Sequence, residues 1–321
     1  MSLKSLSFFL FSHRHVVSLS SEKTGTLFGL LCLLTMLVAA INPSASTAGT
    51  IFVLSGSGFA PSNPSFGSID GNTGAYTGIV SSLPSELLRN LAWNASISAF
   101  YTIDGDADTP PIALSTIDTS GSITPIGSLA SNRIVSGMAY RQSDSTIYAY
   151  DKDGSDYGAI NSVLGTWSNI QTSGTGIPDF GNSGGRFAIL NDILYLTGES
   201  GGNGKFGSIG YTSTSTFAQI GPDNPLFINM ILASDGTSLF GIYGDGTDGN
   251  QALYSINPNS GITSFISTIS GVGLGSRFYG ADFQSSAQAV PEPSLCIISV
   301  VSLACAGFAK RRQIRRCKAS R

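Results

Sequence analysis

The chain has 321 residues, of which 12% are charged and 39 are glycine, a composition that suits short strands and turns better than long surface helices. The formal net charge of −3 hides an acidic middle, because residues 49–289 contain 18 acids and 7 bases. This charge argues against a nucleic-acid partner, since phosphate binding needs clustered Lys and Arg. The same residues contain neither Cys nor His, which excludes a disulfide, a thiolate nucleophile and a cysteine metal site there.

Residues 1–48 are predicted to be an export signal. An apolar run at 27–41 lies behind Lys23, Asn42 and Pro43 interrupt it, and small residues at 46–48 offer a cleavage site. This order is typical of a signal peptide with a long leader. A retained membrane anchor is the alternative.

A repeated strand pattern occupies residues 49–284. Five segments each centre on an isoleucine, and these isoleucines are 48, 43, 49 and 47 residues apart; they are Ile69, Ile117, Ile160, Ile209 and Ile256. A second set of five apolar segments runs out of phase with the first, and each contains an alanine: Ala92, Ala139, Ala188, Ala233 and Ala281. Four short strands in each such period are typical of a β-propeller blade, whose inner strand favours small residues near the axis.

Strand counting predicts an all-β propeller of five four-stranded blades. The body opens with a strand of the second type and ends with a lone first strand, so the two termini are expected to complete one blade together. The predicted blades are 51–80 with 278–283, then 90–127, 138–171, 187–221 and 230–267. Such closure pairs the last free strand edge. A β-sandwich or a solenoid is the alternative, and no closer family than the broad class of bacterial propeller repeats is resembled.

One acidic turn is a candidate calcium site. Asp151, Asp153 and Asp156 place three carboxylates around Gly154, and Ca²⁺ favours several oxygen ligands on a flexible loop. The order differs from that of an EF-hand loop. The alternative is that these residues only form a tight turn between strands.

No catalytic residue is predicted from the sequence. A glycosidase needs only two carboxylates, so the acids leave that chemistry open. We expect them to lie at Asp-Gly and Asp-Asn turns, however, and not inside apolar strands where a raised carboxyl pKa would arise. The sequence has two tryptophans, Trp93 and Trp167, which is a small number for a surface that stacks on sugar rings. Trp93 is predicted to be core.

The C-terminus combines three elements in a fixed order. A linker at 285–294 contains Pro291, Glu292 and Pro293, an apolar run follows at 295–309, and a basic tail at 310–321 includes Arg311 and Arg312. An apolar helix of this length would span roughly 22 Å, short of a bilayer core of about 30 Å, although flanking basic residues can extend its reach. The positive tail is expected to stay cytoplasmic, which places the body outside.

This end of the chain resembles the PEP-CTERM sorting tail of exported bacterial proteins. The resemblance covers about the last 30 residues, and the tail after Arg312 is longer than usual. It implies processing by an exosortase, with recognition at 291–293, and a location at the cell surface or in the extracellular matrix after transient membrane anchoring. An ordinary C-terminal anchor is the alternative.

The function expected from these observations is non-enzymatic binding of extracellular polysaccharide or protein, with no cofactor other than the calcium considered above. A carboxylate-based carbohydrate-active enzyme on the same fold is the alternative.

Overall fold

The computed structural model describes residues 49–57, 62–84, 88–106, 109–129, 133–172, 176–180, 185–244, 251–273 and 276–284. The predicted leader at 1–48, the proline motif, the apolar run at 295–309 and the basic tail lie outside the described residues. Among the residues that are described, no helix is long and apolar enough to cross a membrane.

The described residues form five antiparallel sheets of four strands each, here called blades 1 to 5. Blade 1 contains β1 (Thr50–Ser57), β2 (Ser62–Asp70), β3 (Tyr76–Val80) and the last strand, β20 (Ser276–Phe283). Blade 2 contains β4 (Leu88–Asn94), β5 (Ala99–Asp106), β6 (Thr109–Asp118) and β7 (Ile123–Ser128); blade 3 contains β8 (Val135–Arg141), β9 (Thr146–Asp151), β10 (Asp156–Asn161) and β11 (Trp167–Gln171). Blade 4 contains β12 (Arg186–Leu190), β13 (Ile193–Ser200), β14 (Asn203–Ile209) and β15 (Ala218–Gln219); blade 5 contains β16 (Met230–Ser234), β17 (Leu239–Tyr243), β18 (Ala252–Ile256) and β19 (Thr263–Thr268).

The predicted closure is confirmed. β20 pairs with β1 in an antiparallel ladder that sets Ile51 opposite Phe283 and Val53 opposite Ala281. The innermost strands of neighbouring blades are in contact all the way round the ring, from β20 through β4, β8, β12 and β16 back to β20. The protein is therefore a five-bladed β-propeller closed by its two ends.

The apolar core is divided among the blade interfaces. Five hydrophobic clusters each combine side chains of two adjacent blades. The five repeated isoleucines lie in the third strand of each blade, and all are at most 4% exposed. Full burial of one such side chain stabilises the fold by about 1.5–3 kcal/mol, so the repeat in the sequence is a repeat of core positions.

Glycine allows the inner strands to approach one another closely. A Cβ atom on Gly137 of β8 would lie 2.2 Å from the carbonyl oxygen of Gly185, and one on Gly280 of β20 would lie 2.5 Å from the carbonyl carbon of Asn90. The Asn90 side chain donates from Nδ2 to the carbonyl oxygen of Val135 at 2.9 Å, which ties β4 to β8. The five inner strands thus surround a narrow axis with two ends.

The two ends of the axis differ in their connections. At one end, here called the hairpin face, turns join the first and second strands of blades 2 to 5, and blade 1 begins at Thr50 and ends at Phe283. At the other end, here called the opposite face, turns join the second and third strands of each blade.

Candidate axial binding site

A cavity of about 620 Å³ opens at the hairpin face. All five innermost strands contribute to its wall at equivalent positions, each one residue after the repeated alanine of its blade; these lining residues are Trp93, Tyr140, Ile189, Ser234 and Asp282. The hairpin turns add polar groups at the rim, among them Ser96, Gln142, Ser143, Asn191 and Asp192. An apolar wall with a few convergent polar groups is the usual character of a small-molecule site.

Asp282 places a carboxylate in the wall of this cavity. Its Oδ2 accepts a hydrogen bond from the backbone N–H of Trp93 at 2.7 Å, and its Oδ1 accepts one from the N–H of Phe283 at 2.8 Å. The backbone of Ser234 in blade 5 also donates to it. Burial raises the pKa of Asp282 to about 7, although these three N–H groups favour the charged form. The carboxylate therefore connects three blades and titrates near neutrality.

Arg141 and Asp192 form an ion pair at the rim, across blades 3 and 4. Nε of Arg141 donates to Oδ1 of Asp192 at 2.7 Å, and Nη2 donates to Oδ2 at 2.6 Å. Nη1 donates to Oδ2 of Asp144 at 2.9 Å, and the guanidinium lies 4.0 Å from the ring centroid of Tyr211. The hydrogen bonds from Arg141 lower the pKa of Asp192, so this carboxylate stays ionised where Asp282 is partly protonated.

Two aromatic residues border the same cavity. Trp93 is 6% exposed and packs on Phe100 with ring centroids 4.7 Å apart, while Tyr140 packs on Tyr101 at 5.2 Å. The prediction that Trp93 belongs to the core is confirmed, and the structure adds that Trp93 also lines the cavity. The carbonyl oxygen of Trp93 accepts a hydrogen bond from Nε2 of Gln142 at 3.1 Å, which ties blade 2 to the turn of blade 3.

The acidic turn of blade 3 lies at the opposite face, away from this cavity. Asp151 and Asp156 are buried and Asp153 is exposed. Nη1 of Arg133 donates to Oδ2 of Asp151 at 2.8 Å and to Oδ2 of Asp156 at 2.9 Å, so a guanidinium lies between the two carboxylates. Burial raises the pKa of Asp151, and the charge of Arg133 opposes that shift.

Calcium binding at this turn stays a prediction. The structure brings Asp151 and Asp156 together as buried side chains, whereas the side chain of Asp153 is exposed. Within the described part of the chain, no group of three His, Cys, Asp or Glu side chains could hold a metal ion.

The sequence reasoning was wrong about where a raised carboxyl pKa would arise. We expected the acids at turns only, yet Asp282 lies in an inner strand whose neighbours Ala281 and Phe283 are buried core residues. The sequence contains a signal for this exception, because Asp282 is a single acid between the apolar residues Ala281 and Phe283. The pairing of Arg141 with Asp192, 51 residues apart, left no such signal.

Comparison with known proteins identifies no family for this chain. No family model matches the chain, and no curated protein matches it. Among solved structures, the chain is similar to one from a nidogen–laminin complex, at 13% identity and a TM-score of 0.49, over 74% of this chain and 99% of that one. It is also similar to a Bacteroides thetaiotaomicron protein of unknown function, at 13% identity and a TM-score of 0.46, over 76% of this chain and 66% of that one. A Bacteroides fragilis protein provisionally named a 6-phosphogluconolactonase is similar at 12% identity and a TM-score of 0.39, over 75% of this chain and 99% of that one.

Proposed function

We propose that this five-bladed propeller is an exported, non-enzymatic binding protein that holds a sugar unit of an extracellular polysaccharide in its hairpin-face cavity. The proposal includes transient anchoring through residues 295–309 and processing by an exosortase at 291–293. The order of signal peptide, proline motif, apolar run and basic tail supports that part. The cavity supports the binding role and is the observation that carries it.

The wall chemistry of the cavity favours a neutral, hydroxyl-rich ligand. Trp93 and Tyr140 supply apolar surface, while Ser143, Asn191 and Gln142 supply hydrogen-bonding groups at the rim. The rim charges of Arg141 and Asp192 compensate each other. A sugar ring offers both an apolar face and several hydroxyl groups, which suits such a wall.

A blocking substitution at the cavity mouth tests this function. Ser96 is exposed in the turn between β4 and β5, and its N–H donates to Oδ1 of Asn94 at 2.9 Å. A Ser96→Trp change would fill the mouth without removing a buried side chain. Ser120 is the matched control, because it is exposed in another turn of the same blade and its N–H donates to Oδ1 of Asp118 at 2.8 Å.

The measurement is binding of the full-length chain, in mild detergent, to an array of bacterial glycans. We expect at least one glycan to bind, with loss of binding in Ser96→Trp and retention in Ser120→Trp. Absence of binding across the array, or equal binding by both variants, would refute the cavity as a glycan site.

A carbohydrate-active enzyme is the second candidate, and the two carboxylates of the cavity favour it. A partly protonated Asp282 and an ionised Asp192 have the divergent pKa values that a general acid and its partner need. Against it, both oxygens of Asp282 accept backbone N–H groups, which suits a structural carboxylate. Hydrolysis of a bound glycan that is abolished by Asp192→Asn or Asp282→Asn would favour the enzyme over the binding protein.

A further inference from the structure

The inner wall of the hairpin-face cavity carries a single acidic side chain. The five equivalent positions of the inner strands hold Trp93, Tyr140, Ile189, Ser234 and Asp282. The other charged residues among the described lining residues, Arg141 and Asp192, pair with each other at the rim. Asp282 is therefore the charged group that a ligand inside the cavity would meet.

Asp282 is held by backbone donors and keeps one acceptor position. Its oxygens accept hydrogen bonds from the N–H groups of Trp93 and Phe283, and the backbone of Ser234 also donates to it. An ionised carboxylate offers about four lone-pair positions, so three donors leave one for a ligand. The same donors fix the orientation of the carboxylate, which lowers the ordering cost of binding. The side chain is thus a preorganised acceptor for one N–H or O–H group.

Much of the remaining inner wall is apolar. Ala139, Phe187 and Ala188 line the cavity. Trp93, whose N–H donates to Asp282 at 2.7 Å, adds aromatic surface to the same wall. A ligand group that suits this wall combines one donor with a small apolar end. A hydroxyl group supplies only the donor, whereas an acetamido group supplies both an N–H and a methyl group.

We propose that the cavity selects an N-acetylated amino sugar, and that Asp282 determines this specificity by accepting a hydrogen bond from the acetamido N–H. The acetamido methyl group packs on the apolar wall, and the hydroxyl groups of the ring are left for the polar residues of the rim. This inference rests on the proposed binding function, for which it names the class of sugar held in the same cavity.

Competition for the array glycan that binds the full-length chain tests this specificity. N-acetylglucosamine, glucose and glucosamine are each used to displace that glycan at pH 8, where Asp282 is mostly ionised because its pKa is about 7. We expect N-acetylglucosamine to displace the glycan at a concentration about tenfold lower than glucose, because it adds a buried methyl group and an N–H donor to a charged acceptor. Glucosamine lacks the methyl group and should be weaker than N-acetylglucosamine.

Asp282→Asn isolates the contribution of the acceptor. The one oxygen that remains accepts the N–H of Trp93, so the preference for N-acetylglucosamine over glucose should fall to the methyl contribution, about fourfold or less. Asp235→Asn is the matched control. Asp235 lies in the turn between β16 and β17 of the same face, where it accepts the N–H groups of Thr237 and Ser238 at 2.8 and 2.7 Å. This variant should keep the full preference.

The outcomes separate this specificity from the function on which it rests. If no glycan of the array binds, the binding function is refuted and the specificity with it. If a glycan binds but glucose or glucosamine displaces it as well as N-acetylglucosamine does, only the specificity is overturned. An equal preference in Asp282→Asn and the unchanged chain would overturn the role of Asp282. The competition series on the unchanged chain decides the specificity even where Asp282→Asn fails to fold.

Discussion

Asp282 is expected to make the stability of the propeller depend on pH in a direction opposite to that of most carboxylates. Its folded-state pKa is about 7, against an ordinary value of 3.8. Between these values the folded state holds a proton that the unfolded state has released. Its contribution to stability is therefore fully present below about pH 4, is lost as the pH rises, and is gone above about pH 7.

The magnitude follows from the same shift. One group contributes a slope of at most about 1.4 kcal/mol per pH unit, so the loss between pH 4 and pH 7 is at most about 4 kcal/mol. Asp282→Asn removes the titration and keeps one oxygen to accept the N–H of Trp93. The new amide N–H₂ would face a second backbone donor, which adds a cost that does not vary with pH.

The assay is urea unfolding of the full-length chain and of Asp282→Asn at half-unit steps from pH 4 to pH 8. The difference in unfolding free energy isolates Asp282, because Asp70, Asp118 and Asp192, whose pKa values are lowered, titrate alike in both proteins. We expect the unchanged chain to lose stability relative to the variant as the pH rises to 7. Parallel curves over that range would refute the reasoning.

Three further predictions concern the closure of the ring, the packing of its inner strands and the acidic turn of blade 3. Deletion of residues 276–284 removes β20 and exposes the inner edge of β1, so the chain should lose its cooperative unfolding transition and aggregate, as followed by circular dichroism and light scattering. Gly137→Ala should lower the free energy of unfolding by about 1–3 kcal/mol, because the added methyl group overpacks the space between inner strands. Gly78→Ala is the control, because its Cβ would make an ordinary 3.7 Å contact; its free energy of unfolding in urea should be close to that of the unchanged chain. Arg133→Gln leaves Asp151 and its neighbouring carboxylate without their shared cation, so calcium should raise the melting temperature of this variant more than that of the unchanged chain; equal melting in calcium and in excess chelator contradicts the calcium prediction.

Local patterns were sufficient to predict the blades. The isoleucine repeat marks the third strand of each blade because that position faces a neighbouring blade, and the alanine repeat marks the inner strand where space is short. Closure followed from the strand count, because an unpaired edge is costly and the two terminal strands complement each other. All of these are properties of a few consecutive residues or of the order of segments.

The candidate sites could not be predicted from such local patterns. The cavity takes one wall residue from each inner strand, and the hydrogen bond from Trp93 to Asp282 joins residues 189 positions apart. The strand period predicts which residues belong to the core, but it does not predict which of them face the axis together.

The sequence by itself therefore determined the export and sorting predictions, the acidic character of the body, the absence of Cys and His from residues 49–289, and the five-bladed ring. Only the tertiary structure decided that Asp282 titrates near pH 7 and that Arg141 and Asp192 share the rim of one cavity. The physical reason is that burial and the field of neighbouring charges depend on how the blades meet at the axis. That arrangement joins segments far apart in the chain, so no local pattern records it.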